Sequence, residues 1–433
     1  MQRLIRFWLI SLLAVIPVVI AHPPQAAEPV QTPPVSRLDV EKLKQLLDRG
    51  DVAGAIRLVE ENWQTQYENY YQGQLTTQLL ETAEISRRLT NLFRLTGQRS
   101  ALIYAIPTPT HLELILVPPG ARPLHRRVAT ANREALLQAV KSFRDGVMDL
   151  TTPRSTYLPP AQRLYQLMIA PLEPALKAYR IDTLIFCLGG GLRTVPLAAL
   201  HDGDRFLMEK YNLAIIPAFN LLDHRPVSLK DARVLAMGAS EFEEQSPLPF
   251  VPVELKTIVG SLWPGAMLLN QDFTIENLRA FRAKQPYRIV HLATHADFAP
   301  GSIQESYIQF WDQRLSPNRF RDLRLSYPEV QLLVLSACRT AVGNPQAELG
   351  FAGLAVMSGS RAAIASLWHV SDAGTLALMT EFYRQLKTTN KTEALRRAQT
   401  AMLNRQIRLD SRIRRDKIHP YYWAAFTVIG NAW

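Results

Sequence analysis

Two stretches decide how the chain is read: Arg288–His295 (RIVHLATH) and Val330–Cys338 (VQLLVLSAC). Each is a short apolar run of strand length. One closes on Ala293-Thr294-His295, the other on Ser336-Ala337-Cys338. Comparable runs recur at Leu102–Ala105, Leu112–Val117, Thr183–Cys187, Arg233–Met237 and Ala362–Leu367. Helical periodicity fills much of the space between them, near Arg133–Leu150, Ala161–Tyr179, Val253–Leu262, Thr274–Ala283, Gly350–Ser358 and Asp372–Leu386. Short buried strands alternating with helices predict an α/β fold with a largely parallel sheet and flanking helices. The turn-rich stretch 223–232 separates two α/β halves, 98–228 and 229–433.

In open parallel sheets, chemistry gathers beyond the carboxyl ends of strands. One His and one of only two Cys fall there, on consecutive core strands. Parallel neighbours lie about 5 Å apart, so His295 and Cys338 can meet over one sheet edge. A thiol attacks a carbonyl only as a thiolate, and an adjacent imidazole can take its proton. The resulting oxyanion needs donors, for which the backbone N–H groups of Ala296 and Cys338 are candidates. By spacing alone, a Cys and a His at strand ends are equally a packed small residue and a satisfied polar group. His291 lies inside its strand and is read as structural. Gly189-Gly190-Gly191 lacks the spacing and the Lys-Ser or Lys-Thr of a phosphate loop and is read as a turn.

The remaining chain sets limits. At 433 residues, with 47% apolar residues, it is long enough for two or three packed domains. Arg3 and Arg6 precede the apolar run Phe7–Ala21, so residues 1–27 read as a signal peptide, or as a membrane anchor through residues 4–21 if uncleaved. A proline-rich linker, 28–35, follows. Residues 36–97 read as a helical segment, with Asp39 and Asp51 as caps and Gly50 and Gly97 as stops. The expected location is thus exported, periplasmic or extracellular, or tethered to a membrane. Net charge is +11, much of the excess lying between Arg396 and Lys417. That run interleaves no aromatics, which argues against single-strand nucleic-acid binding, and it is read as a solvated helix face and loop. Two isolated cysteines build no metal cluster. Cys187 and Cys338 both end apolar runs and are read as unpaired. No cofactor is expected.

The segments FCLGGGLRTVPLAALHDG (186–203), VHLATH (290–295), LVLSACRT (333–340), 349–359, ASLWHVSD (365–372) and HPYYWAAFTVIG (419–430) resemble the CHAT domain family, over roughly residues 98–433. That family groups with caspases and separases as clan CD cysteine peptidases. The resemblance implies a caspase-like fold, His295 as catalytic base and Cys338 as nucleophile. It also implies a first half that is a degenerate copy of the active one. Arg193 and Pro196 match family positions and are read as architectural. Two residues depart from many relatives. Ala296 replaces a Gly after the His, and Arg339 replaces a Glu after the Cys, where it either lowers the thiol pKa or points to solvent. WHVSD (368–372) resembles the separase segment that brings an Asp to a basic side chain of the substrate. Asp372 is therefore either a substrate-pocket carboxylate or a helix cap, and Trp368 either a pocket wall or core. The expected function is a cysteine endopeptidase acting on a protein or peptide after a basic residue. The competing reading is a non-catalytic interaction module.

Overall fold

The computed structural model describes residues 37–71, 73, 75, 79–299, 303–336, 339–340, 345–407 and 419–433. The leader, the linker, Cys338 and the basic stretch 408–418 lie outside the described residues. Among the described residues no helix is long and apolar enough to cross a membrane.

Among the described residues three helices come first: Val40–Asp48, Val52–Tyr71 and Thr82–Thr96. Asp39 Oδ1 accepts the Lys42 N–H at 2.9 Å and Asp51 Oδ1 the Gly54 N–H at 2.8 Å, each meeting a backbone donor that a helix start leaves open. Gly97 ends the third helix in the left-handed region at φ 74°. The strands follow in chain order: β1 (Ser100–Pro107), β2 (Leu112–Val117), β3 (Leu124–Val128), β4 (Thr183–Leu188), β5 (Asn212–Ile216), β6 (Val234–Gly238), β7 (Gly265–Leu269), β8 (Ile289–Ala293), β9 (Ala296–Phe298), β10 (Tyr307–Gln309), β11 (Arg314–Leu315), β12 (Leu332–Leu335), β13 (Arg339–Thr340), β14 (Ala362–Ser366) and β15 (Phe426–Gly430). Eleven of them form one sheet in the order β3-β2-β1-β4-β5-β15-β14-β12-β8-β6-β7, and β11-β10-β9-β13 form a second, small one. The two α/β halves therefore share a single sheet.

The central strands β4, β5, β6, β8, β12 and β14 are buried at every position, as apolar runs covered on both faces must be. β15 is parallel to β5 but antiparallel to β14. Strands β1, β4 and β5 thus run opposite to β6, β8, β12 and β14. The carboxyl ends of β8, β12 and β14 share one edge of the sheet, and that of β4 faces the other way. The two halves are also bound by side chains. The buried Arg144 donates to Thr194 O at 2.6 Å and to Leu367 O at 2.9 Å, joining the loop after β4 to the end of β14. The buried Glu60 of the second helix accepts from Tyr104 Oη at 2.7 Å and from the N–H groups of Phe219 and Asn220, each at 2.9 Å. This fastens the helical segment to β1 and to the turn after β5.

One helix departs from its expected start. It spans Arg154–Met168 and carries Pro159 and Pro160 inside it. Its buried Tyr157, Ala161, Leu164, Tyr165 and Met168 make one apolar stripe, and that burial outweighs the backbone hydrogen bonds the prolines forfeit.

Gly430 closes β15 at φ 93°, and a Cβ there would lie 2.8 Å from Arg361 O. Gly430→Ala is expected to lose about 1–3 kcal/mol, measured as a lower urea midpoint, because a side chain there is strained in both backbone and space. An unchanged midpoint would show that the seam between the halves is not set at this residue.

Candidate active site

β6, β8, β12 and β14 deliver their following loops to the same sheet edge. His295 stands between β8 and β9, half-buried. Its position is fixed on both sides: Thr294 Oγ1 donates to Gln309 O at 2.7 Å, and Gln309 N–H donates to His295 O at 2.9 Å. The imidazole Nε2 lies 2.8 Å from the carbonyl oxygen of Ser246, in the loop after β6. A carbonyl only accepts, so Nε2 carries the hydrogen, and in the neutral ring Nδ1 is left as the acceptor. Phe242 meets the ring edge-on at 4.6 Å, and the ring of the exposed His369 stacks 6.2 Å away.

Cys338 lies outside the described residues, but both of its flanks are placed. Ser336 N–H donates to Leu292 O at 3.0 Å, and Arg339 of β13 pairs with Asp297 of β9. The chain before Cys338 is thus registered on the residues before His295, and the chain after it on the residues after His295. Ala296, the other oxyanion candidate, is buried in β9 opposite Ile308.

Asp372 begins the helix Asp372–Leu386, whose cap is Ser371: its Oγ accepts the Gly374 N–H at 3.2 Å. Asp372 reaches instead to the Phe250 N–H, 2.6 Å from Oδ2. The loop after β6 therefore touches His295 through Ser246 and Asp372 through Phe250, four residues on. Burial pushes the Asp372 carboxyl up to about 6, against the Phe250 hydrogen bond, which lowers it, and with the Glu254 charge adding to the rise. Trp368 is 1% exposed and donates from Nε1 to Tyr421 O at 3.0 Å. Placed so, it fills core and does not face solvent as a pocket wall would.

Other residues singled out in the sequence have different roles. His291 is wholly buried in β8, with Nε2 3.0 Å from Glu254 Oε1 and Nδ1 3.2 Å from Tyr383 Oη. Cys187 is a free, buried thiol near Pro217 O, and desolvation raises its pKa well above the ordinary range. Gly191, at φ 95°, lies in a turn and donates its N–H to Glu348. Among the described residues no three His, Cys, Asp or Glu side chains converge as a metal site requires. A groove of about 730 Å³ opens beside Phe242, lined also by Glu241, Glu243, Glu244, Asp312 and Arg314. Ser246 and Phe242 gave no signal in the sequence, one acting through its main chain and the other as an ordinary apolar residue. His369 sits inside the quoted WHVSD segment.

The mostly parallel sheet and the strand-end placement of His295 define a caspase-like α/β fold. Two structures of the Saccharomyces cerevisiae separase–securin complex share it, with TM-scores of 0.50 and 0.53 at 11% and 9% identity, each over 88% of this chain. The chain spans about a third (34%) of the separase chain. The Arg-specific cysteine proteinase gingipain R aligns over 69% of this chain and 74% of its own, at 12% identity and a TM-score of 0.40. The chain belongs to the CHAT domain family, whose profile matches residues 158–431. No curated protein matches the sequence.

The raised Asp372 carboxyl has a measurable sign. Between 3.8 and about 6 the folded chain holds a proton there that the unfolded chain has lost, so stability falls as pH rises through this window and levels off above it. The urea midpoint of the wild type is expected to drop relative to that of Asp372→Asn over the same interval. A constant difference would mean that the carboxylate is solvated.

Proposed function

We propose that this chain is a cysteine endopeptidase that cleaves protein or peptide substrates after a basic residue, with Cys338 as nucleophile and His295 as base. The observation that carries the reading is the hydrogen bond from His295 Nε2–H to Ser246 O, which leaves Nδ1 as the acceptor, on a residue that follows β8, the parallel neighbour of the strand that precedes Cys338. His295 Nδ1 takes the thiol proton, and the thiolate forms a bond to the substrate carbonyl carbon. The N–H groups of Ala296 and Cys338 hold the oxyanion. The tetrahedral adduct collapses by breaking the C–N bond, and imidazolium gives its proton to the departing amine. Water, deprotonated by His295, then hydrolyses the thioester and restores the thiol.

Asp372 supplies the specificity. Its carboxylate is half-buried, and Oδ2 takes one backbone N–H, so a guanidinium or ammonium compensates the cost of desolvating its charge. The acidic residues of the neighbouring groove favour the same kind of substrate. The leader supports export, either cleaved within residues 21–28 or retained as a tether through residues 4–21.

A peptide ketone with a basic residue at its reactive end tests the assignment. It is expected to label Cys338 in the wild type and to leave His295→Ala unlabelled. Cys338→Ala should abolish peptide hydrolysis with the fold intact, whereas Cys187→Ala keeps it. Hydrolysis that survives in pure Cys338→Ala would overturn the enzyme reading, and an unlabelled wild type would leave a non-catalytic interaction module. For specificity, Asp372→Asn keeps the shape and removes the charge. It should cost at least about 2 kcal/mol in kcat/KM for Arg substrates and little for substrates with an apolar residue there. An equal, small loss for both classes would reduce Asp372 to a hydrogen-bond partner of Phe250.

A further inference from the structure

The helix Pro345–Ala352 begins seven residues after Cys338, and it is held from the other half of the molecule. Glu348, in its first turn, is 0% exposed and accepts the Gly191 N–H at 2.7 Å. Its second oxygen, Oε1, has no hydrogen-bond partner among the described residues. Burial raises the Glu348 carboxyl, and the nearby guanidinium groups of Arg193, Arg144 and Arg133 counter that rise. Arg193 in turn donates to Gln66 Oε1 at 3.1 Å and sits over the rings of Trp63 and Tyr67, at 5.8 and 5.6 Å. One residue beyond Glu348, the Tyr71 hydroxyl lies 3.3 Å from Leu349 O and 3.0 Å from Gly350 O. The approach is close: a Cβ on Gly353 would come within 2.7 Å of Tyr71 Oη, and one on Gly350 within 2.7 Å of Tyr70 Oη.

A carboxylate fully removed from water is costly unless it is held, and a hydrophobic residue would pack there without that cost. What an acid offers at this point is direction. It accepts from one fixed backbone N–H, in a turn whose geometry is itself set by Gly191: a Cβ there would lie 2.1 Å from Leu137. Glu348 and Tyr71 thus fix the helix in both rotation and height against the first half. This helix packs directly on β9 and β13, and β13 is paired to the residues that follow His295. A shift of the helix is therefore passed to the nucleophile's arm.

We infer that Glu348 is a positioning residue for the proposed hydrolysis: by gripping the Gly191 N–H it lets the first half of the sheet and the Tyr71 helix set the alignment of Cys338 with His295. The inference rests on the peptidase reading for its kinetic arm. It also has an arm that needs no substrate, the pH profile of Cys338 alkylation by iodoacetamide. A thiol paired with an imidazole reacts at neutral pH, whereas an unpaired one reacts only as it ionises near its ordinary pKa. Glu348→Ala is expected to lower kcat by about tenfold or more with KM nearly unchanged, since small misplacements in a reacting pair are felt strongly. Its alkylation should slow by a similar factor at neutral pH and match the wild type at high pH. Glu348→Gln keeps an acceptor for Gly191 and should recover most of the rate. Tyr71→Phe removes only the second tie and should show the same pattern more weakly, which covers the case in which Glu348→Ala does not fold. Glu113→Gln is the control, a buried carboxylate of β2 bonded to His125 and Arg127 and outside both the Tyr71 helix and the Pro345–Ala352 helix, expected to lower Tm and leave kcat alone. If Glu348→Ala and Tyr71→Phe lower Tm as Glu113→Gln does while kcat and the alkylation profile stay at wild-type values, the inference is overturned. Absence of hydrolysis in the wild type would overturn the peptidase reading instead, and the alkylation profiles alone would then decide this one.

Discussion

Strands β8 and β12 lie side by side and point the same way, with Ile289 opposite Leu332 and Leu292 opposite Leu335. This parallel register brings the two chain ends that leave the strands to one place, and no other pairing of these segments would do so. A slip of one residue would turn each of these side chains to the opposite face of the sheet, against a different set of packed neighbours. β6 and β14 extend the same parallel set, so the loop that holds His295 and the segment that carries Asp372 arrive at the same edge.

The second consequence concerns the whole sheet. β15 returns antiparallel to β14 and parallel to β5, so the final strand of the chain fuses two halves of opposite direction into one surface. Each half then loses its own free edge at the seam, which removes a row of unpaired backbone groups. Arg144, Glu60 and Glu348 are the buried charges that cross between the helical segment, the first half and the second. Each of the three bonds to main-chain groups, which fix direction more tightly than flexible side chains do.

Much of this was legible in the sequence. The strands around Thr183–Cys187, Arg233–Met237, Arg288–Leu292, Val330–Leu335 and Ala362–Leu367 stand out because they are continuous apolar runs, as strands covered on both faces must be. β5 was missed because its apolar run, Leu213–Ile216, is only four residues long before Pro217. β9, β10, β11 and β13 are two or three residues long, too short for periodicity. The seam at β15 is a long-range pairing, which composition does not encode. At the site, His295 was visible through its position after a strand, and Asp372 through its surroundings. The Ser246 carbonyl was invisible, because every residue has one. The helix cap proved to be Ser371, since Asp372 already sits inside the first turn and turns outward to Phe250. The basic run after Arg396 is partly tied down: Arg396 donates to Asn212 Oδ1 at 2.8 Å and Arg397 pairs with Glu393 at 2.6 Å.

The central claim is that His295 and Cys338 form one reacting pair at the shared carboxyl edge, with Asp372 receiving the side chain that precedes the cut. A crystal structure of the protein bearing a covalently attached peptide ketone with an arginine at its reactive end measures this directly. The account predicts a thioether at Cys338, His295 Nδ1 within about 4 Å of that sulfur, and the guanidinium in hydrogen-bond contact with Asp372. A Cys338 side chain turned away from His295, or an arginine side chain left in solvent with Asp372 still facing only Phe250, would contradict it.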